Sequence, residues 1–146
     1  MAGIAMSHTY ERELEVIEQA CRDIASSGKL TDTQKNRLAE RFADRVKNAL
    51  ELVDKHKVHR YRFRPSGRTI WTVEGRKRIY QVIPETTFCN CDDYYFRVMD
   101  GQKALCYHII AQKIAFALGR FQTSDLKDAQ YARITKQWRT TAQTAQ

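Results

Sequence analysis

The sequence predicts an α+β fold, and three observations predict it. Apolar residues recur at helical spacing through the first 57 positions, alternate in the manner of strands from residue 58 to residue 83, and crowd into one apolar helical run over residues 104–118. The expected order is an N-terminal helical hairpin over residues 1–57, a small antiparallel β-meander leading into a ββα-like unit over residues 58–119, and a short C-terminal helix with a flexible polar tail over residues 120–146.

The first helix follows from Tyr10, Leu14, Ile17, Cys21 and Ile24, whose steps of four and three draw a single apolar stripe. Ser26-Ser27-Gly28 is a stop signal. Thr31 with Gln34 three positions on reads as a capping box, after which Leu38, Phe42, Val46, Leu50 and Val53 carry a second stripe to about Lys55. A short connection makes the two helices antiparallel. Such stripes are packing faces and carry no chemistry.

From Val58 the period changes. His59, Tyr61 and Phe63 alternate with Arg60, Arg62 and Arg64, which predicts a strand with three aromatic rings on one face and three guanidinium groups on the other. Ser66-Gly67 and Glu74-Gly75 read as turns bounding a second strand with Ile70 and Trp71, and Arg78 to Ile83 reads as a third, ended by Pro84. Phe88 to Cys91 is a fourth extended piece. In the run from Ala104 to Leu118, Ile109, Ile110, Ile114, Phe116 and Leu118 cover more than one face, so the helix is buried, or half buried and half an interface; Gly119 is its expected C-cap. Ser124 to Trp138, with Leu126, Tyr131 and Ile134, is the expected last helix.

A length of 146 residues fits one compact domain with appendages. Met1 to Tyr10 lacks a basic stretch followed by an apolar run, and no apolar stretch approaches a bilayer span, so the expectation is a soluble intracellular protein, cytoplasmic or (in a eukaryote) nuclear, with no membrane partner. The net charge of +8 is unevenly spread: residues 1–54 sum to −2, residues 55–78 to +8, residues 79–119 to −1 and residues 120–146 to +3. One short segment thus holds the positive excess, as in an electrostatic footprint for nucleic acid; a solvated basic face is the plainer alternative.

The chemistry sits in Cys89-Asn90-Cys91 and, after fourteen intervening residues, Cys106-Tyr107-His108. On a strand, residues i and i+2 point to one side, so Cys89 and Cys91 can reach a common metal. Inside a helix the same spacing diverges by about 200°, so Cys106 belongs just before the helix and His108 in its first turn. Four N/S donors so delivered suit one tetrahedral Zn²⁺ with a closed shell, which is a structural site rather than a catalytic one. A disulfide does not fit an intracellular chain, and three paired cysteines are too many for a nucleophile and its base. An iron–sulfur cluster also accepts Cys and His, and spacing alone leaves it open.

Cys-x-Cys…Cys-x-His, preceded by aromatic-containing strands and followed by an apolar helix, resembles the SWIM zinc finger. The matching residues are Trp71, Val73, Tyr80, Val82, Cys89, Cys91, Cys106, His108 and Ala111, over about residues 58–119. The resemblance implies a zinc-bound ββα-like SWIM module, a type associated with binding DNA or protein partners in transposase-related, chromatin-associated and recombination-mediator proteins. Ala111, three residues after His108, is similar to the extended motif of the Shu-complex type, which works beside recombinase paralogues. The first 54 residues carry no usable resemblance.

Other polar residues attract less. Cys21 reads as a core residue, and His8, His56 and His59 lack ligand spacing. Asp92 and Asp93 read as a turn or cap, and Tyr94, Tyr95 and Phe96 as a cover for the metal. No phosphate-binding glycine loop and no acid/base pair stand apart from the Cys/His set, so no enzyme is expected. Two functions remain. In the first, nucleic acid, in the first instance DNA, is held at its phosphates by Arg60, Arg62, Arg64, Arg68, Arg76, Lys77 and Arg78. In the second, the chain is an adaptor docking on a recombinase, helicase or transposase partner, or self-associating through its helices.

Overall fold

A computed structural model describes residues 2–75, 78–91 and 105–136, with side chains from residue 11 onward. Helix α1 spans Ala2–Ser27, longer than its stripe suggested. The stripe is used as expected: Ile17 and Ile24 are fully buried, and Leu14 and Cys21 pack against the core. Gly28, at φ 75°, ends the helix by donating its N–H to the Ile24 carbonyl at 2.7 Å. Helix α2 (Asp32–Phe42) opens on the expected capping box: the Gln34 N–H donates to Thr31 Oγ1 at 3.2 Å and the Thr31 N–H to Gln34 Oε1 at 2.8 Å.

The expected single helix to Lys55 is divided. Ala43 adopts φ 52° and ψ −126°, and a separate α3 runs over Asp44–Asp54. The stripe could not reveal this, because Leu38, Phe42, Val46, Ala49 and Val53 are buried on one side whether or not one residue interrupts them.

Strands β1 (Val58–Arg64), β2 (Thr69–Glu74), β3 (Ile79–Ile83) and β4 (Phe88–Cys89) form the expected antiparallel meander. A fifth strand, β5 (Gln122–Lys127), completes the order β4-β3-β2-β1-β5 and lies parallel to β1, from His59 opposite Gln122 to Arg64 opposite Lys127. This corrects the helix expected from Ser124. Residues 122–127 instead satisfy the backbone groups on the open edge of β1. Among the described residues the short C-terminal helix begins later, as a 3-10 turn over Asp128–Gln130 followed by α-helix at 131–136. Trp138 lies outside the described residues.

Helix α4 (Tyr107–Leu118) lies across the sheet, and α1 and α3 pack on it from the other side. That position explains its all-round apolarity: His108, Ile109, Ile110, Ala111, Gln112, Ile114 and Ala115 are all buried. Gly119 caps it in the left-handed region, as expected. Val58, Trp71, Val73, Val82 and Cys89 meet Ile109, Ile110 and Ile114 in one core that also takes in Ile17, Phe42, Val46 and Val53. A smaller cluster on the opposite face of β1 joins Phe63 and Ile70 to Leu126, Tyr131 and Ile134. Among the described residues, no helix is long and apolar enough to cross a membrane.

The alternation of rings and guanidinium groups along β1 is present, but its register has a consequence. Val58 pairs with Val73 and Arg60 with Trp71, so Arg60, Arg62 and Arg64 continue the face that carries the main core. The strand starts beneath the helices at Val58 and runs out from under them, leaving Arg62 and Arg64 exposed.

The backbone at Ala43 supplies a test. Its conformation is one that glycine adopts freely and an L side chain resists, at a cost of about 1–3 kcal/mol, against about 0.5–1 kcal/mol of extra chain entropy for glycine. Ala43→Gly should therefore raise stability by about 1 kcal/mol in a denaturant titration, whereas Ala39→Gly, inside α2, should lower it.

Candidate metal centre

Cys89 closes β4, paired with Val82 across β3. Asn90 then fastens the chain to β3: the Gln81 N–H donates to Asn90 Oδ1 at 2.9 Å and the Asn90 N–H to the Gln81 carbonyl at 3.3 Å. The residue between the two cysteines is thereby held, and Cys89 and Cys91 turn to the same side. Cys106 is the N-cap of α4, with extended backbone at φ −80° and ψ 162°, and His108 follows in the first turn. This is the strand-and-helix-entrance arrangement that the spacing required.

The four donor atoms lie within 4.8 Å of one another, and all four residues are buried. Cys89 Sγ stands 3.8 Å from His108 Nδ1. Tetrahedral zinc with its usual bond lengths would set sulfur–sulfur separations of about 3.8 Å and sulfur–nitrogen separations of about 3.6 Å. The cluster can close on such an ion with small movements. His108 is flanked by the rings of Tyr80 at 4.2 Å and Tyr107 at 4.1 Å, and its Nε2 is buried without a hydrogen-bond partner among the described residues.

The buried thiols also act on one another's charge. Hydrogen bonds with Cys106 and Cys91, reinforced by burial, push the Cys89 thiol well above its ordinary range. The bond from Cys89 pulls Cys106 down, but the bond with Cys91 and burial outweigh it and push the thiol up to about 12. Thiols so placed are neutral near pH 7, whereas a divalent cation among them would stabilise the thiolates it binds. The donors present fit a metal ion of the zinc type.

A polar clamp that spacing did not reveal holds the second half of the site. Glu13, on α1, is only 5% exposed. Its carboxylate accepts from both terminal nitrogens of Arg45, on α3, at 3.0 and 2.6 Å, and from the Leu105 N–H at 3.3 Å. Arg45 donates in turn to the Leu105 carbonyl at 2.7 Å. Both backbone groups of the residue before Cys106 are therefore gripped by the N-terminal helices. The available signal was an acidic residue one helical turn before Ile17, on the buried side of α1.

The described basic residues do not share one patch. Arg62, Arg64 and Arg68 are exposed around the end of the β1–β2 hairpin; Arg64 lies 3.7 Å from Asp125, and Arg68 stacks over Tyr131 at 4.8 Å. Arg60 is half buried, its guanidinium over the rings of Trp71 and Phe121. Arg78 sits on the β2–β3 turn, at the other end of these strands, with its Nε donating to the Tyr80 hydroxyl at 3.0 Å. Arg76, Lys77, Asp92, Asp93, Tyr94, Tyr95 and Phe96 lie outside the described residues. Cys21 is half buried and outside the cluster, with burial pushing its thiol up to about 11. His59 stacks on Tyr61 at 4.1 Å and bonds Ser124 at 2.8 Å, which accounts for it without a metal.

The clamp can be separated from ordinary surface pairing. Glu13→Gln keeps the shape but leaves a mostly buried Arg45 without its carboxylate, and should cost about 3 kcal/mol of stability with faster hydrogen exchange at the Leu105 amide. The control Glu51→Gln, in an exposed pair with Lys55, should change stability by about 0.5 kcal/mol or less.

No family model matches the chain, and no solved structure matches it. Curated proteins do. Over 92 residues the chain is 29% identical to a "Zinc finger SWIM domain-containing protein 7 homolog" of Dictyostelium discoideum, covering 62% of this chain and 59% of that protein. Over 88 residues it is 33% identical to "Zinc finger SWIM domain-containing protein 7" of Danio rerio, covering 59% of this chain and 62% of the relative. The human protein of the same name is 24% identical over 122 residues, 82% of this chain and 86% of the relative. With the first two the match thus spans about three fifths of the relative's length. The chain is thus similar to proteins named for a SWIM zinc finger, and its Cys/His cluster is compatible with a SWIM zinc site.

Proposed function

We propose that the chain binds one structural zinc ion through Cys89, Cys91, Cys106 and His108, and uses the scaffold so fixed to bind nucleic acid, DNA in the first instance. The convergence of four buried donors supports the zinc, because a shell closed by protein ligands leaves no position for a reacting water. Zinc bound there makes three sulfurs anionic and ties β4 to the entrance of α4; the chain's own residues supply the rest of the function at the surface. Such a thiol-rich site belongs in a reducing, intracellular compartment.

The observation that carries nucleic-acid binding is the exposed Arg62, Arg64 and Arg68 around one hairpin end, in a segment holding a charge of +8 over residues 55–78. Among the described residues the Arg62 side chain has no hydrogen-bond or ion-pair partner, and the exposed Arg64–Asp125 pair at 3.7 Å is weak. Both are available to phosphates, and interactions of that kind give affinity without sequence preference.

A second reading is a protein-interaction adaptor of recombinase, helicase or transposase partners. Phe116 favours it: it is 57% exposed on a helix whose other residues are buried or half buried, at the mouth of a groove of about 590 Å³ between α1 and α4.

Fluorescence anisotropy on labelled duplex DNA and RNA separates the readings. Arg62→Glu with Arg64→Glu should weaken binding more than tenfold at low salt. The slope of log affinity against log salt should also flatten by about 0.9 for each phosphate no longer neutralised. Unchanged binding in the folded double variant would remove nucleic acid from this surface and leave the adaptor reading.

A further inference from the structure

The arginine-bearing face of β1 does not end in charge alone. Arg60 lies with its guanidinium carbon 4.8 Å from the centre of the Phe121 ring and 5.8 Å from that of Trp71. Phe121 in turn runs nearly parallel to Phe116, at 23° and 6.0 Å between centres, and Trp71 meets both rings edge-on at 5.0 and 5.7 Å. The outcome is a continuous ladder from Phe116 through Phe121 to Arg60, on the same side of the sheet as Arg62 and Arg64. Its outer rung, Phe116, is the most exposed large apolar residue of the fold among those described.

An exposed ring of this kind forfeits the stabilisation that burial would give, and the core does not require it. Side chains two apart on β1 emerge about 7 Å apart, so Arg62 and Arg64 form a row of cations leading away from the rings. On the other side of Phe116 the groove carries Glu18 and Glu85 together with Arg22 and Lys113, so its charges balance. The row of exposed cations lies on one side only, from Phe116 across Phe121 towards Arg62 and Arg64.

We propose that this ladder is a stacking platform for single-stranded nucleic acid, with a base on Phe116 and phosphates further along the same strand on Arg62 and Arg64. The proposal rests on the nucleic-acid reading of the arginine surface and narrows its ligand to unpaired strands. In a duplex the bases are stacked on one another and their faces are not available to a side chain. In a single strand they are free, and every base offers a π-face, so binding is tolerant of sequence.

The test uses the full chain loaded with zinc and three labelled probes of equal length: oligothymidylate, a strand of abasic sites with the same phosphates, and a duplex. The wild-type protein should prefer oligothymidylate to the abasic strand by about fivefold or more, the gain of stacking one base. Phe116→Ala and Phe116→Leu should abolish that preference and leave duplex binding unchanged, while Phe116→Tyr retains it. The leucine variant keeps apolar bulk without a π-face and so distinguishes stacking from mere hydrophobic association. Equal wild-type affinity for oligothymidylate and the abasic strand, or a preference that survives Phe116→Ala, overturns the platform. If Arg62→Glu still weakens binding in that event, the arginine reading stands without it, and Phe116 passes to the adaptor reading. Absence of wild-type binding to all three probes at low salt overturns both.

Discussion

Three cysteines and a histidine lie buried at one point in an apolar interior, a donor set that a divalent cation of the zinc type would hold together. Neutral thiols are weak hydrogen-bonding groups, and His108 turns its Nδ1 towards Cys89 Sγ at 3.8 Å. A divalent cation would supply what the protein groups do not. Every large element answers to that convergence. The β3–β4 pairing and Asn90 aim Cys89 and Cys91, while α4 starts where Cys106 and His108 must be. Because α4 is also the helix on which α1, α3 and the sheet pack, a shift at the metal would be a shift of the core.

The N-terminal helices are tied into the same arrangement. Their stripes alone would make them generic packing partners. The Glu13–Arg45 pair gives them a defined grip on Leu105, at both its N–H and its carbonyl. The surface follows a different logic. Arginines that leave the core face of β1 pass from ring-stacked Arg60 to exposed Arg62 and Arg64 within five residues, so one strand links the scaffold to the charged face.

Much of this was legible in the residues. The metal cluster was, because i, i+2 spacing has one meaning on a strand and another at a helix entrance, and the two pairs could be read separately. The meander, the capping box at Thr31 and the cap at Gly119 were legible for the same reason: each is a local rule. What stayed hidden depends on partners distant in sequence. Gln122–Lys127 has only one large apolar residue, Leu126, and becomes a strand because it lies beside β1, about 60 residues earlier. The alternation along β1 named two faces correctly, but only the pairing of Val58 with Val73 says which of them meets the core. Ala43 breaks a helix without disturbing its stripe, and Glu13 looked like any surface acid until Arg45 and Leu105 were brought to it.

The central claim, that one metal ion organises the fold, is tested most directly by native mass spectrometry of the purified chain before and after chelation, with circular dichroism on the same samples. The account predicts one zinc per chain, its removal by chelator, and loss of cooperative unfolding in the stripped protein and in Cys106→Ser. A metal-free chain that remains folded and unfolds cooperatively at the same temperature would contradict it.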